Sequence, residues 1–291
     1  MAMIKIKTAG IRGASGLVGV AVKNELENDG WIVKQIPRNF STEDIKGLDV
    51  VINLAGHSIN CRWSEREKRE IRESRINTTS RIVNAIKECG DEAPALLISA
   101  SAVGIYPSSG IASPDSAYDE YSEGRGSGFL SELCIVWETE ALKASPFTRV
   151  AIIRLGVVIS SSGGAFPKLS LPFRLGLSVR YGSGKQPLSW ISLEDVAGAV
   201  KLVINDSSIK GAVNLVAPQI IDMNGVKSTL TGIYRSLIPL HLTDSILKIA
   251  MGGSHELVTE GQNVKPSVLI SKGYNFKHKT LGETISQVIY I

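Results

Sequence analysis

Apolar and polar positions alternate along the first half of the chain so that strands and helices are predicted in turn. Segments with helical spacing begin near Leu17 and after Ser64, where Ser64 and Glu67 can form a capping box. The strand predictions cover Ile4–Arg12, Trp31–Ile36, Asp49–Gly56 and Arg149–Ser160, together with Ala95–Tyr106, whose end passes into a loop. This alternation predicts an α/β fold with a doubly wound parallel sheet and helices on both of its faces.

The pattern changes after Ser161, where Gly, Pro and Ser become frequent and the predicted elements become short. We therefore predict one domain over residues 1–161 and a smaller C-terminal region over residues 162–291. Because folds of this kind often return later strands to the first sheet, the second region can also contribute to it.

Composition and charge exclude several classes of protein. The hydrophobic fraction of 43% suits a globular core, and the net charge of +4 is too small and dispersed to predict a nucleic-acid or membrane partner. The three cysteines form no Cys-x-x-Cys pair, and the four histidines do not have the spacing of metal ligands. Neither disulfides nor a metal site is therefore predicted. No signal peptide or long apolar segment is evident, and we expect a cytoplasmic location.

A glycine-rich turn supplies the first candidate site. Gly13, Gly16 and Gly19 follow the first predicted strand and open the first predicted helix. Glycines there let backbone N–H groups approach a dinucleotide pyrophosphate, while the helix N-terminus adds partial positive charge. The alternative interpretation is a tight turn that only packs the helix on the sheet.

The end of the second predicted strand indicates which dinucleotide is bound. An NAD site usually has an acidic residue there, whereas this chain has Arg38, and Arg12 immediately precedes the first glycine. A guanidinium pairs well with the 2′-phosphate of NADP, so NADP (NADPH) is the predicted cofactor. Alternatively, both arginines are solvated surface residues.

Several further stretches resemble one family. They include "GASGLVG", "DVVINLAGHSI", "ISASAVGIY", "FLSELCIVWE", "GGAFPKLSLPFRLG" and "GSGKQPLSWISLEDVA". Together they are similar to the epimerase-family, atypical short-chain dehydrogenase/reductases, also described as nucleoside-diphosphate-sugar epimerase-like or cell-division-inhibitor-like. The resemblance implies an NADP-binding Rossmann-type domain with a smaller C-terminal substrate cap.

The resemblance also implies a set of cofactor contacts. They lie in the glycine loop, after the second strand, in "NLAG", in the following charged helix and in "RLGVV". By position these residues are Arg12, Gly13, Ser15, Gly16, Leu17, Val18, Gly19, Arg38, Leu54, Ala55, Gly56, Glu70, Arg75 and Val158. Glu70 and Arg75 lie in a helix of mixed charge, which by itself predicts only a solvated face.

The usual chemistry of such enzymes is incomplete in this chain. The Tyr-x-x-x-Lys pair expected in the helix Gly128–Leu142 is absent, and Cys134 stands near the lysine position. Ser101 is at the position of the substrate-orienting serine, and Tyr106 is a candidate proton donor on the same loop. Each of the two can also be a packing residue.

Two functions of different classes follow. The first is an NADP-binding oxidoreductase or epimerase-like enzyme that acts on a small polar molecule, and the second is a sensor that keeps the cofactor but lacks the tyrosine-lysine machinery. Polar cap residues able to hold an anionic substrate are Arg174, Arg180, Lys185, Gln186 and Trp190. A homodimer is also possible, since outward-facing helices of such folds often pair.

Overall fold

The computed structural model describes residues 7–290 of the chain. The first part contains β1 (Thr8–Arg12), α1 (Leu17–Asn28), β2 (Ile32–Ile36), β3 (Val50–Asn53), α2 (Glu65–Glu88), β4 (Leu96–Ala102), α3 (Gly128–Leu142) and β5 (Arg149–Leu155). The second part contains β6 (Val157–Ile159), α4 (Phe166–Arg174), β7 (Leu177–Tyr181), β8 (Trp190–Ser192), α5 (Leu193–Asn205), β9 (Gly211–Leu215), α6 (Met223–Tyr234), β10 (Ile238–Leu242), α7 (Asp244–Met251), α8 (Glu256–Thr259), α9 (Ser267–Ser271) and α10 (Leu281–Tyr290).

Six strands form the main sheet in the order β2-β1-β3-β4-β5-β9, and every neighbouring pair is parallel. The predicted Rossmann-type α/β fold is thereby confirmed. Because β1 has β2 on one side and β3 on the other, the direction of winding reverses at β1. Open α/β sheets bind ligands outside the carboxyl ends of their strands at such a point.

Helices cover both faces of this sheet. On one face, α1 and α5 contact each other above buried side chains such as Ile52, Ile98 and Val213. On the other face, α2 and α3 contact each other, and Ile82 of α2 packs against a core that includes Leu97. The near-continuous apolar strands of the sequence are thus explained by burial on two sides.

The second region builds a separate core and a small parallel sheet of β10 and β7, and its β8 pairs in parallel with β6, which lies just before residue 162. Phe173, Trp190 and Leu230 are among its fully buried side chains. Its β9 lies in the main sheet beside β5. The division of the chain into domains after residue 161 stays a prediction.

Two strand predictions need comment. The single strand predicted over Arg149–Ser160 is wrong, because β5 and β6 lie in different sheets and are separated by Gly156. A Cβ on Gly156 would lie 2.6 Å from the Ser189 carbonyl oxygen, so the chain breaks there around a close backbone approach. The Ile4–Ile6 part of the first predicted strand lies outside the described residues. Within residues 7–290, no helix has the length and apolar character needed to cross a membrane.

Candidate functional site

A cleft of about 500 Å³ lies at the carboxyl edge of the main sheet. Its lining begins at Leu17 and the loop after β3, and it passes the ends of β4 and β5. It is closed on the far side by residues of the C-terminal region, including Leu257 and Glu260. The volume is that of a small-molecule or cofactor site, and the position is the one expected from the sheet topology.

The glycine loop connects β1 to α1, as the sequence predicts. Gly13 has a φ of +93°, which glycine adopts without strain, and its Cβ position would lie 3.0 Å from the backbone of Leu54. A Cβ on Gly19 would lie 2.1 Å from the Gly13 carbonyl oxygen. Contacts within the chain therefore explain both of these glycines.

Gly16 differs from its two neighbours in the motif. Its Cβ position would meet only the Gly13 carbonyl oxygen, at 3.4 Å, and the residue is exposed. It is the N-cap of α1 and provides no side-chain cap, so the first N–H groups of the helix remain free to donate hydrogen bonds to a ligand. The exposed Ser15 precedes it, and Leu17 and Val18 line the cleft. This end of α1 can receive a pyrophosphate.

Three arginines lie close together beside the glycine loop. Arg12 ends β1 opposite Ile36 of β2, and Arg38 follows β2 by two residues. Burial lowers the pKa of Arg12, and the positive charges of Arg38 and Arg81 lower it further. Among residues 7–290, none of the three arginines forms an ion pair with a carboxylate, and the buried Nε of Arg12 has no hydrogen-bond partner.

Arg81 was missed by the sequence analysis. It lies on α2, 43 residues after Arg38, and donates hydrogen bonds to the carbonyl oxygens of Arg38 at 3.2 Å and Phe40 at 2.9 Å. Its guanidinium also lies 4.5 Å from the centre of the Phe40 ring. Arg81 therefore holds the loop after β2 and adds a third positive charge. We call Arg12, Arg38 and Arg81 the arginine cluster.

The predicted contacts after β3 and β5 lie on the cleft. Leu54, Ala55, Gly56 and Val158 all line it. Arg75 of α2 lines it as well, and its Nη1 donates to the carbonyl oxygens of His57 at 3.0 Å and Ile71 at 3.1 Å. Burial lowers the pKa of Arg75.

Glu70 does not line the cleft, and neither do the two predicted arginines at the end of β1 and after β2 or the predicted contacts Gly13, Ser15, Gly16 and Gly19. Glu70 is placed on the outer side of α2, where its carboxylate accepts a hydrogen bond from Arg66 at 3.0 Å. This is the solvated face that the helix pattern alone predicts. The structure therefore does not support Glu70 as a cofactor contact.

A buried polar network lies beneath Ser101 at the floor of the cleft. The Ser101 hydroxyl donates to Glu138 Oε1 at 2.6 Å, and Arg154 binds the same carboxylate through Nε at 2.9 Å and Nη2 at 2.8 Å. Glu138 and Arg154 are 7% and 3% exposed. A carboxylate held by a forked guanidinium only accepts hydrogen bonds, which fixes Ser101 as the donor. Toward a ligand, the Ser101 oxygen is left as an acceptor.

Tyr106 belongs to the same network. Its hydroxyl receives a hydrogen bond from Arg154 Nη1 at 2.6 Å and lies 2.9 Å from the Asp119 carbonyl oxygen and 3.0 Å from Asn214 Oδ1. Burial raises its pKa. Tyr106 touches the cleft, but its hydroxyl already has protein partners, so the geometry favours a role in holding Arg154 over the predicted proton transfer.

The position of the usual tyrosine-lysine pair is apolar. Leu130 and Cys134 of α3 line the cleft there, and burial raises the pKa of the Cys134 thiol to about 11. Two other tyrosines have a basic residue four positions later, Tyr121 with Arg125 and Tyr181 with Lys185. Tyr121 is 74% exposed, Tyr181 is buried in the core of the second region, and neither lines the cleft.

The polar cap residues named from the sequence lie outside the lining of the cleft. All five are among the described residues and none lines the cleft; they are Arg174, Arg180, Lys185, Gln186 and Trp190. The amide of Gln186 instead donates to the Tyr181 and Val258 carbonyl oxygens. The cap residues that do face the cleft include Glu256 and Glu260. No local motif marked them, because they reach the cleft only through the tertiary fold.

A family model described as the NAD dependent epimerase/dehydratase family matches residues 10–215. The chain belongs to this family. A second model, a domain of unknown function named DUF1731, matches residues 244–288 of this epimerase-family chain and includes the segment that closes the cleft. The family resemblance found in the sequence is confirmed.

Relatives and solved structures support the same membership. The chloroplastic epimerase family protein SDR39U1 homolog of Arabidopsis thaliana is 32% identical, covering 97% of this chain and 86% of the relative. Human epimerase family protein SDR39U1 (isoform 2), crystallised with NADPH, matches with a TM-score of 0.88 and 28% identity over 97% of this chain and 99% of the human one. A nucleoside-diphosphate sugar epimerase from Corynebacterium glutamicum matches with a TM-score of 0.79 and 30% identity, over 98% of this chain and 59% of that protein.

Proposed function

We propose that this epimerase-family protein binds NADPH and acts as an oxidoreductase or epimerase-like enzyme on a small polar molecule. The main support is the arginine cluster, because it gathers three positive charges near the end of β2 and has no carboxylate partner within residues 7–290. A 2′-phosphate supplies the missing negative charge, whereas the ribose hydroxyl of NADH does not. The presence of NADPH in the human relative's crystal structure supports the same cofactor.

The residues at the cleft floor suggest how a substrate is held. When bound, the cofactor supplies hydride transfer to or from a substrate carbon. Because the hydrogen of Ser101 is committed to Glu138, the serine oxygen accepts a hydrogen bond from a substrate hydroxyl. In the oxidative direction that hydroxyl proton passes to Ser101 while the serine proton passes to Glu138. Arg154 positions the carboxylate through both of its oxygens.

Cofactor binding is tested by titrating NADPH and NADH into the protein and following intrinsic fluorescence. We expect NADPH to bind at least 10-fold more tightly. Equal affinities, or no binding of either dinucleotide, would overturn the cofactor assignment. Homodimer formation is a separate proposal, and light scattering on the eluted protein measures it.

The apolar tyrosine-lysine position favours a second candidate, a cofactor-binding sensor. Leu130 and Cys134 offer no proton donor comparable to a phenol beside an ammonium. A panel of carbonyl compounds with NADPH, and of alcohols with NADP⁺, separates the two functions by absorbance at the reduced nicotinamide band. Turnover that falls in Ser101→Ala supports the enzyme, and tight NADPH binding without turnover on any panel member supports the sensor.

A further inference from the structure

Three side chains with metal-binding atoms converge at the rim of the cleft. His57 follows "NLAG", Cys61 lies four residues later, and Glu67 is in the first turn of α2. Their potential ligand atoms all lie within 4.8 Å of one another, and His57 Nε2 is 3.1 Å from Glu67 Oε2. The sequence predicts no metal here because the spacing of these residues matches none of the common metal-binding motifs.

The main chain around these residues is held in place by hydrogen bonds. The His57 N–H donates to Ser74 Oγ at 2.9 Å, and its carbonyl oxygen accepts from Arg75 at 3.0 Å. The Glu67 N–H donates to Ser64 Oγ at 3.2 Å, which fixes the start of α2. Two of the three side chains therefore start from fixed main-chain positions before any ion binds.

The segment between His57 and Glu67 is also anchored. The indole of Trp63 is buried, donates to the Ile59 carbonyl oxygen at 3.0 Å and packs edge-on against Phe129 of α3. The Cys61 sulfur lies 3.6 Å from the Ser58 carbonyl oxygen. These contacts hold the loop that carries the thiol against the body of the protein.

We propose that His57, Cys61 and Glu67 form a binding site for a single Zn²⁺-class ion. One nitrogen, one sulfur and one oxygen ligand suit a borderline-soft ion that accepts four ligands in a tetrahedron. Binding replaces the proton of the Cys61 thiol, which is released to solvent, and the thiolate and carboxylate together balance the charge of the ion. His57 binds through Nε2 as a neutral imidazole.

Three protein ligands leave the fourth position of the ion for water or another ligand. His57, Ser58 and Asn60 line the cleft, so this position adjoins the space in which a small molecule binds. Zinc sites with three protein ligands and one open position are typical of ions that contact a ligand directly. The site thus gives the cleft an anchor for an oxygen or nitrogen atom of its occupant.

The test uses Co²⁺ as a spectroscopic substitute for Zn²⁺ in the full chain after treatment with a chelator. We expect saturation at one equivalent, with the visible bands of tetrahedral Co²⁺ and a near-ultraviolet thiolate-to-metal band, both removed by one equivalent of Zn²⁺. Cys61→Ser removes the thiolate band, and His57→Gln weakens Co²⁺ affinity by at least about 100-fold, more than loss of an outer partner costs.

Cys89→Ser is the matched control. Cys89 is a buried cysteine whose sulfur faces the Thr42 carbonyl oxygen in a different part of the protein, so its replacement leaves the cobalt spectrum unchanged. Circular dichroism of each variant shows whether it is folded. A spectrum that persists in folded Cys61→Ser, or octahedral bands without a thiolate contribution in the wild type, would overturn the proposal. Neither result depends on whether NADPH binds.

Discussion

The arginine cluster leads to a quantitative prediction for Arg38→Ala. The Arg38 side chain is exposed and, within residues 7–290, forms no hydrogen bond or ion pair; only its carbonyl oxygen is used, as an acceptor for Arg81. The substitution therefore removes positive charge without removing a contact that holds the fold. We expect the free energy of unfolding of the cofactor-free protein to change by no more than about 0.5 kcal/mol.

The expected loss of affinity follows from the interaction that Arg38 makes with a phosphate. A hydrogen bond between charged partners contributes about 1.5–3 kcal/mol, which corresponds to a ~10–150-fold weaker binding of NADPH. NADH has no 2′-phosphate, so its affinity should change less than about 2-fold. The variant should therefore bind the two dinucleotides with nearly equal affinity.

The assay is a fluorescence titration of both dinucleotides at two salt concentrations, because a phosphate contact weakens as salt screens it. Lys34→Ala is the control, since Lys34 is also an exposed cation on β2 but lies before its carboxyl end. An unchanged NADPH affinity in Arg38→Ala would refute the assignment of the cluster to the 2′-phosphate. Equal losses for NADPH and NADH would refute it as well.

Three further predictions concern the fold around the site. Glu138→Ala leaves the buried Arg154 without its carboxylate. We expect the free energy of unfolding, measured by urea denaturation, to fall by about 3–5 kcal/mol. A smaller decrease would contradict an ion pair that is shielded from water. Gly19→Ala places a methyl group against the backbone of the glycine loop, so it should lower the free energy of unfolding by about 1–3 kcal/mol and weaken dinucleotide binding. The control is Gly232→Ala in α6, where a Cβ would meet no atom within 4 Å, and it should have neither effect. Burial raises the pKa of Cys134 to about 11, so the folded state keeps a proton that the unfolded thiol, with its ordinary pKa of 9.0, has lost at pH 10. Stability should fall by about 1.4 kcal/mol between pH 8 and 10 for this reason, and an equal fall in Cys134→Ala would contradict it.

Local features of the sequence were enough to predict part of the candidate site. Gly13 and Gly19 are needed by short-range contacts between the loop and the elements it joins, and such contacts leave a regular spacing in the chain. Arg38 could be found because it stands at a defined distance after a recognisable strand. Ser101 was found in the same way, but its partner Glu138 was not, since a glutamate inside a helix gives no sign of being buried.

The sequence by itself determined the alternation of strands and helices, the parallel doubly wound sheet and the family, because burial on two faces imposes apolar runs that can be read directly. Only the tertiary structure decided which charges meet. Arg81 meets Arg38 and Glu260 faces the cleft through packing between elements distant in the chain, and Glu138 of α3 meets Arg154 of the strand that follows it. Such contacts depend on helix rotation and strand order, and a hydrophobic pattern carries no information about the partner of a single polar side chain.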